Sequence, residues 1–154
     1  MNLKGFQRME PNDRRPDVDI EEEIELLIRS FAPLKASRSY FTAKSTGGHV
    51  VLAGNIRSPQ ARRVLIDNIP HIKGVSSVDS TSLYDDEMVR LAVGQLLPAG
   101  IMASVHYGAV ALTGQLPDGA SGDVILNAVK GVVGVRRVGA EFGQNTAEPS
   151  SSTS

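Results

Sequence analysis

A nine-residue stretch that occurs twice, 60 residues apart, constrains the fold of this chain more than any other feature. Residues 48–56 read GHVVLAGNI and residues 108–116 read GAVALTGQL, so glycine, valine, leucine and glycine recur in register. A second echo keeps the same offset, with GVSSV at 74–78 and GVRRV at 134–138. Two echoes at one offset indicate a tandem duplication, which predicts two copies of one small fold.

Length and charge limit how these copies can behave. The 154 residues accommodate two copies, and a unit of about 60 residues buries only ~60% of the surface that its unfolded chain exposes. We therefore expect the copies to pack on each other, on a partner, or on a second chain in a homo-oligomer. The net charge is −1, divided as +2 over 21–83 and −3 over 84–154. This balance gives no electrostatic basis for a nucleic-acid partner.

Cysteine usage and the first residues bear on the cellular compartment. Cysteine is absent, which excludes disulfides and thiolate metal sites. The first eight residues, MNLKGFQR, show neither an apolar h-region nor a small-residue cleavage site. No apolar run approaches the ~20 residues of a membrane-spanning helix. We expect a cytoplasmic protein, or a periplasmic one if the chain is a processed form.

The first copy begins with an amphipathic helix that follows a flexible arm at residues 1–16. Asp19 and Glu22 predict an N-cap with its capping-box partner, and Pro33 is expected to end the helix. Its apolar positions recur with the 3.6-residue period of a helix face. They are Ile20, Ile24, Leu27, Ile28 and Phe31.

A hairpin, a second helix and a third strand follow. Alternating apolar residues over 40–45 and 50–56 predict two strands. The turn between them, Gly47–Gly48, accepts the positive φ values of a tight hairpin. Ser58–Pro59 predicts the start of the second helix, and the third strand is expected to end near Leu83.

The second copy repeats this order of elements. Asp85, Asp86 and Glu87 begin its first helix, and Tyr107–Gly108 forms its hairpin turn. An offset of 65 aligns the two first helices, which places five extra residues between the helix and the hairpin of the first copy. The apolar positions expected on this helix are Val89, Ala92, Val93, Leu96 and Leu97.

Each copy is thus predicted as helix, strand, strand, helix, strand. This order gives an α+β fold in which two helices cover one face of a three-stranded sheet. The predicted domains span 17–83 and 84–142. Residues 143–154, rich in Ser, Thr, Gln and Asn, are expected to be a disordered tail.

The order of elements, the repeated Gly-x-Val-x-Leu-x-Gly hairpin and the Gly-Val-x-x-Val segment together resemble the BON domain. This bacterial module occurs in osmotically induced periplasmic proteins and nodulation-related proteins, and the resemblance covers both predicted domains. It implies a tandem BON protein without catalytic machinery. Tandem BON proteins are associated with phospholipid membranes and with protection of the envelope under osmotic and other stress. A cytoplasmic relative with one BON domain senses potassium, so an ion or small-ligand sensor is the alternative function.

Residue patterns point to no catalytic, metal or cofactor site. The histidines at 49, 71 and 106 lack metal-ligand spacing, and no serine lies in a nucleophile-elbow motif. We therefore expect a non-enzymatic binding or adaptor protein without a cofactor. The expected partner is a phospholipid membrane surface or a protein.

Two surfaces are predicted to bind such a partner. Arg57, Arg62 and Arg63 form a basic group at the start of the second helix, suited to an anionic headgroup or an acidic protein; a solvated surface is the alternative. Met88 and Leu91 lie beside the main apolar stripe of the second copy's first helix. Apolar residues on two faces indicate a helix covered by its own sheet and also by the other copy or a partner.

Overall fold

The computed structural model describes residues 15–143 of a chain that divides into two compact units, Met1–Tyr84 and Asp85–Ser154. The elements of unit 1 are α1 (Asp17–Ser30), α2 (Ala32–Ala36), β1 (Phe41–Thr46), β2 (His49–Ile56), α3 (Pro59–Asn68) and β3 (Ser77–Asp85). Those of unit 2 are α4 (Asp86–Gly94), β4 (Ile101–His106), β5 (Ala109–Gln115), α5 (Gly122–Lys130) and β6 (Arg137–Gly143). Except for Arg15, Pro16 and Gly143, the predicted arm and tail lie outside the described residues.

Each unit contains one three-stranded sheet, ordered β1-β2-β3 in unit 1 and β4-β5-β6 in unit 2. The hairpin strands pair antiparallel in both units, and β6 runs parallel to β5. The middle strand of each sheet therefore carries the repeated glycine-rich stretch. The predicted α+β class is confirmed.

Unit 1 contains a helix that the sequence did not predict. Pro33 was expected to end the first helix, but α1 ends at Ser30 and Pro33 lies in the first turn of α2. Proline is accepted there because the first amide groups of a helix need no partner within it. A 3₁₀ turn at Arg38–Tyr40 then leads into β1.

The core of unit 1 follows the predicted helix and strand faces. Alternate residues of β2, including Val50 and Leu52, point into it. Its fully buried aliphatic side chains come from α1, α2, β2, α3 and their neighbours: Ile20, Ile24, Ile28, Leu34, Val50, Leu52, Ile56, Leu65, Ile69 and Leu83.

Unit 2 buries a narrower helix face than predicted. Val89 and Val93 of α4 are buried, whereas Ala92 and Leu96 are exposed. The prediction for these two positions is wrong: Ala92 lies inside α4 but outside the face that Val89 and Val93 bury, and Leu96 lies beyond the end of the helix at Gly94. The short helix covers less of its sheet.

Three helix starts show side-chain capping, and one predicted cap is wrong. Ser58, Asp85 and Ser121 each accept a hydrogen bond from the backbone N–H three residues later, which satisfies a free donor at the helix start. Asp19 lies inside the first turn, since α1 begins at Asp17. In residues 15–143, no helix has the length and apolar character required to span a membrane.

Candidate functional site

The Asp17 carboxylate fastens the start of α1 to the hairpin of unit 1. Its Oδ1 accepts hydrogen bonds from the Ser45 hydroxyl at 2.7 Å and the Gly48 N–H at 3.0 Å, and its Oδ2 accepts one from the Gly47 N–H at 2.8 Å. Both glycines have positive φ, as the sequence predicted. One side chain therefore fixes both the turn and the helix that packs on it.

Asp86 does the same in unit 2. Its carboxylate accepts hydrogen bonds from the Tyr107 N–H at 2.9 Å and the Gly108 N–H at 3.1 Å. Tyr107 has a φ of 50°, a conformation that bulky residues rarely adopt. The two carboxylate oxygens of Asp86, at the start of α4, accept both N–H groups and so stabilise this strained turn.

These matching carboxylates correct the alignment of the two copies. Asp17 precedes Gly48 by 31 residues, whereas Asp86 precedes Gly108 by 22. Unit 1 therefore carries nine extra residues between its helix start and its turn, and the predicted insertion of five is wrong. The helices correspond at an offset of 69, which also aligns the buried Ile20 and Ile24 with Val89 and Val93.

The longer segment of unit 1 fills the space beside α1 and the start of β1. Leu34 of α2 is fully buried in the core. Arg38, in the 3₁₀ turn, pairs through its guanidinium with the Glu25 carboxylate and donates to the Phe41 carbonyl at 3.0 Å. Its guanidinium also lies over the Phe41 ring, 5.5 Å from the centroid. Arg38 thus bridges α1 and β1.

The corresponding place in unit 2 is a groove. At the offset of 69, Glu25 of unit 1 corresponds to Gly94 of unit 2. Phe41 corresponds to Ile101, because Phe41 pairs with Gly54 and Ile101 pairs with Gly114 at the same register position of the two hairpins. A cavity of about 230 Å³ lies there between α4 and β4. We call it the α4–β4 groove; its lining residues are Arg90, Gly94, Leu97, Ile101, Met102 and Ala103.

Three exposed apolar side chains lie on the two elements that form this groove. Met102, a lining residue on β4, is 71% exposed. Leu91 and Met88 on α4 are 55% and 39% exposed, and neither is a lining residue of the groove. The predicted pair Met88 and Leu91 thus lies on the same helix as a groove that the sequence pattern did not reveal.

Arg90 is the basic residue of the groove. Its Nε and Nη2 donate to the Glu87 carboxylate at 3.1 and 2.6 Å. This pairing lowers the pKa of Glu87. The third guanidinium nitrogen, Nη1, has no hydrogen-bond partner among residues 15–143. An incoming carboxylate can therefore reach a donor here without breaking the existing pair.

The predicted basic group is only partly available as a surface. Arg62 is half-buried and donates to the Leu83 carbonyl at 2.8 Å and the Ser80 carbonyl at 3.2 Å, which ties α3 to β3. Arg57 and Arg63 are exposed. A role for these two in binding stays a prediction.

Among the described residues, no group of three or more His, Asp or Glu side chains could hold a metal ion.

Unit 1 is expected to lose stability as the pH falls through the titration of Asp17. The Ser45 hydroxyl, and then the Gly48 and Gly47 N–H groups, lower the pKa of this carboxyl below its ordinary value. A lowered folded-state pKa stabilises the fold above the unfolded-state pKa, and this contribution disappears as the pH drops through the folded-state value. Hydrogen exchange of unit 1 amides between pH 6 and pH 2 measures the effect.

Asp17→Asn is the variant that checks this assignment. It should weaken the acid dependence of unit 1 without abolishing it, since the Thr81 hydroxyl and N–H also lower the pKa of Asp79. Asp118→Asn, in unit 2, is the matched control and should leave the unit 1 profile unchanged. An Asp17→Asn profile as steep as that of the parent chain would contradict the assignment.

Comparison with known proteins shows the family of residues 85–142 and a fold shared by most of the chain. The family model of the BON domain matches residues 85–142. A solved structure described as the C-terminal domain of CdsD, the structural protein of the Type III secretion system of Chlamydia trachomatis, is 20% identical with a TM-score of 0.63. The alignment covers 83% of this chain and 65% of that one. At this identity the likeness shows the fold alone.

A second CdsD structure from Chlamydia trachomatis is 15% identical with a TM-score of 0.36, and the alignment covers 84% of this chain and 94% of that one. Comparison with curated proteins gives no match. The family match confirms the resemblance for the second copy, and the sheet of unit 1 has the same strand order. Residues 85–142 therefore form a BON domain, and unit 1 repeats its order of strands.

Proposed function

We propose that this chain is a non-enzymatic adaptor that binds a protein partner through unit 2. The contact surface is the α4–β4 groove together with Met88 and Leu91. The observation that carries the proposal is a groove with aliphatic lining residues and the 71% exposed Met102, on the same helix as the exposed Met88 and Leu91. Apolar surface of this kind, bordered by polar residues, marks interaction sites on folded proteins.

Charge favours a protein over an anionic membrane as this partner. Residues 84–154 carry a net charge of −3, and Arg90, the basic residue in the groove, is already paired with Glu87. An anionic headgroup layer would therefore be repelled by unit 2 as a whole. The exposed Arg57 and Arg63 of unit 1 are the remaining candidates for an anionic partner.

Unit 1 offers a second apolar surface around Leu26 of α1, which is exposed. One cavity beside Leu26 is lined by Glu22, Glu25 and Arg29, and another, of about 340 Å³, is lined by Glu23, Leu27, Ser30, Asn68 and Ile72. Unit 2 is the preferred candidate because Met102, at 71%, is more exposed than Leu26, at 58%.

A structural role in an assembly fits the solved relative CdsD, which is described as a structural protein of a secretion system. A stress-related envelope setting is the part of the proposal that comes from the BON resemblance. A secretion-system assembly and the cell envelope both contain proteins that could be the partner, and neither role requires a catalytic reaction at the groove.

Site-specific photo-crosslinking in the producing cells tests the proposal. A photo-reactive phenylalanine analogue at Leu91 or Met102 should yield the same discrete crosslinked protein from both positions. Lys130, exposed at the end of α5 in the same unit, is the matched control position and should yield none. Equal, diffuse crosslinking at all three positions would contradict a defined protein-binding surface.

Vesicle co-sedimentation separates the membrane alternative. Vesicles containing anionic phospholipid at low salt should not pellet the chain. Pelleting that is lost on Leu91→Asp or Met102→Asp would assign this surface to a membrane instead. Pelleting lost only on Arg57→Ala and Arg63→Ala would move lipid binding to unit 1 and leave the protein surface of unit 2 in place.

A further inference from the structure

In unit 1, a segment of the chain itself occupies the place that corresponds to the α4–β4 groove of unit 2. The α2 helix and the 3₁₀ turn fill the corresponding space beside α1, with Leu34 fully buried and Arg38 joined to Glu25 and Phe41. In unit 2 the chain passes from Gly94 to Ile101 without such a segment, and the counterparts of Glu25 and Phe41 line the groove. The two units thus present one site in a filled and an unfilled form.

We infer that the α4–β4 groove binds a short helical segment of a protein partner, one that inserts an aliphatic side chain and places a carboxylate beside Arg90. This inference rests on the proposed function and specifies the partner. Recognition of an amphipathic helical segment in an apolar groove is a common mode of peptide binding.

The size of the groove supports a side chain as its occupant. Its volume is about 230 Å³, below the ~300–1,000 Å³ typical of sites for cofactors and other small molecules. Leu97, Ile101 and Ala103 give it aliphatic walls. An aliphatic side chain anchored by a helical turn, as Leu34 is in unit 1, matches both the size and the character of the lining.

Charge specifies the second element of the partner. In unit 1 the carboxylate belongs to the helix (Glu25) and the guanidinium to the filling segment (Arg38). In unit 2 the counterpart of Glu25 is Gly94, and the guanidinium that lines the groove belongs to Arg90, one helical turn earlier on α4. Its Nη1 is without a hydrogen-bond partner among the described residues. The complementary segment therefore carries an Asp or Glu that reaches Arg90 from near the place that Arg38 has in unit 1.

A peptide derived from unit 1 tests the inference by NMR. The probe is a blocked peptide with the sequence of residues 31–41 in which Arg38 is replaced by glutamate, titrated into the ¹⁵N-labelled full chain. Amide shifts are expected at Gly94 and across Ile101–Ala103. Since exposed charge pairs contribute modestly, Arg90→Glu should weaken the affinity of the chain for this peptide about threefold. The Arg90→Glu chain should in turn bind the unmodified peptide, which keeps Arg38, more tightly than it binds the glutamate peptide.

Lys130→Glu removes a basic residue of unit 2 outside the groove and is the matched control; it should leave peptide binding unchanged. Shifts confined to the amides of β4 and indifferent to Arg90 would indicate strand addition and overturn the inference. Concentration-dependent shifts at the groove without peptide would assign it to a second copy and also overturn it. No shift with either peptide, while Leu91 and Met102 still crosslink a protein, overturns the helical segment but not the proposed function.

Discussion

Replacing Gly114 by alanine is expected to destabilise unit 2 by about 3–5 kcal/mol. Gly114 has a φ of +127°, and a Cβ at this position would overlap the Gly100 carbonyl oxygen. That oxygen accepts the Gln115 N–H at 3.2 Å, so moving it would break a bond at the end of the hairpin. A unit of about 60 residues has only ~3–9 kcal/mol of stability in total. The variant is therefore expected to populate an unfolded unit 2.

Hydrogen exchange read separately on unit 1 and unit 2 peptides measures this effect. Protection should fall throughout unit 2. Gly139→Ala is the matched control, because Gly139 in β6 has no positive φ and no atom within 4 Å of its added Cβ. It should change stability by less than about 1 kcal/mol. Equal protection in the two variants would show that the close approach at Gly114 is not needed.

Removing the Asp86 carboxylate should cost unit 2 about 2–4 kcal/mol. Asp86→Ala leaves the buried N–H groups of Tyr107 and Gly108 without their acceptors, and each unsatisfied buried donor costs about 1–3 kcal/mol. It also removes the acceptor that holds the Tyr107 N–H while this residue has a φ of 50°. Urea titration followed through the amide resonances of Tyr107 and Gly108 measures the loss.

Asp123→Ala provides the comparison, because Asp123 is an exposed carboxylate in the first turn of α5. Exposed substitutions of this kind usually change stability by about 0.5 kcal/mol or less. An Asp86→Ala loss no larger than that of Asp123→Ala would mean that water replaces the carboxylate at the turn. The hairpin of unit 2 would then be stable without the hydrogen bonds from α4.

Local patterns predicted the regular elements because each has a signal within a few residues. The glycine pair at 47–48 and the Ser58–Pro59 helix start are contained in their own neighbourhoods, and both are present in the structure. The α2 helix was missed because proline at position 33 is read as an end, although the first turn of a helix accepts it.

The groove could not be predicted, because it depends on contacts between distant residues. Asp17 and Asp86 reach turns 31 and 22 residues away, and no local period reveals such a pairing. Without it the local pattern predicts a helix offset of 65 instead of 69 and an insertion of five residues instead of nine. Aligning the two aspartates would have located the insertion, and with it the difference between the units.

The nine-residue insertion also sets the valency of the chain. A duplicated fold with two equal grooves would hold two partner segments at once, and linked sites of that kind gain avidity over either site alone. Here α2 and the 3₁₀ turn occupy one of the two positions. Under the proposed function, the α4–β4 groove would take up a single partner segment, so through this surface the chain would end a series of contacts instead of bridging two.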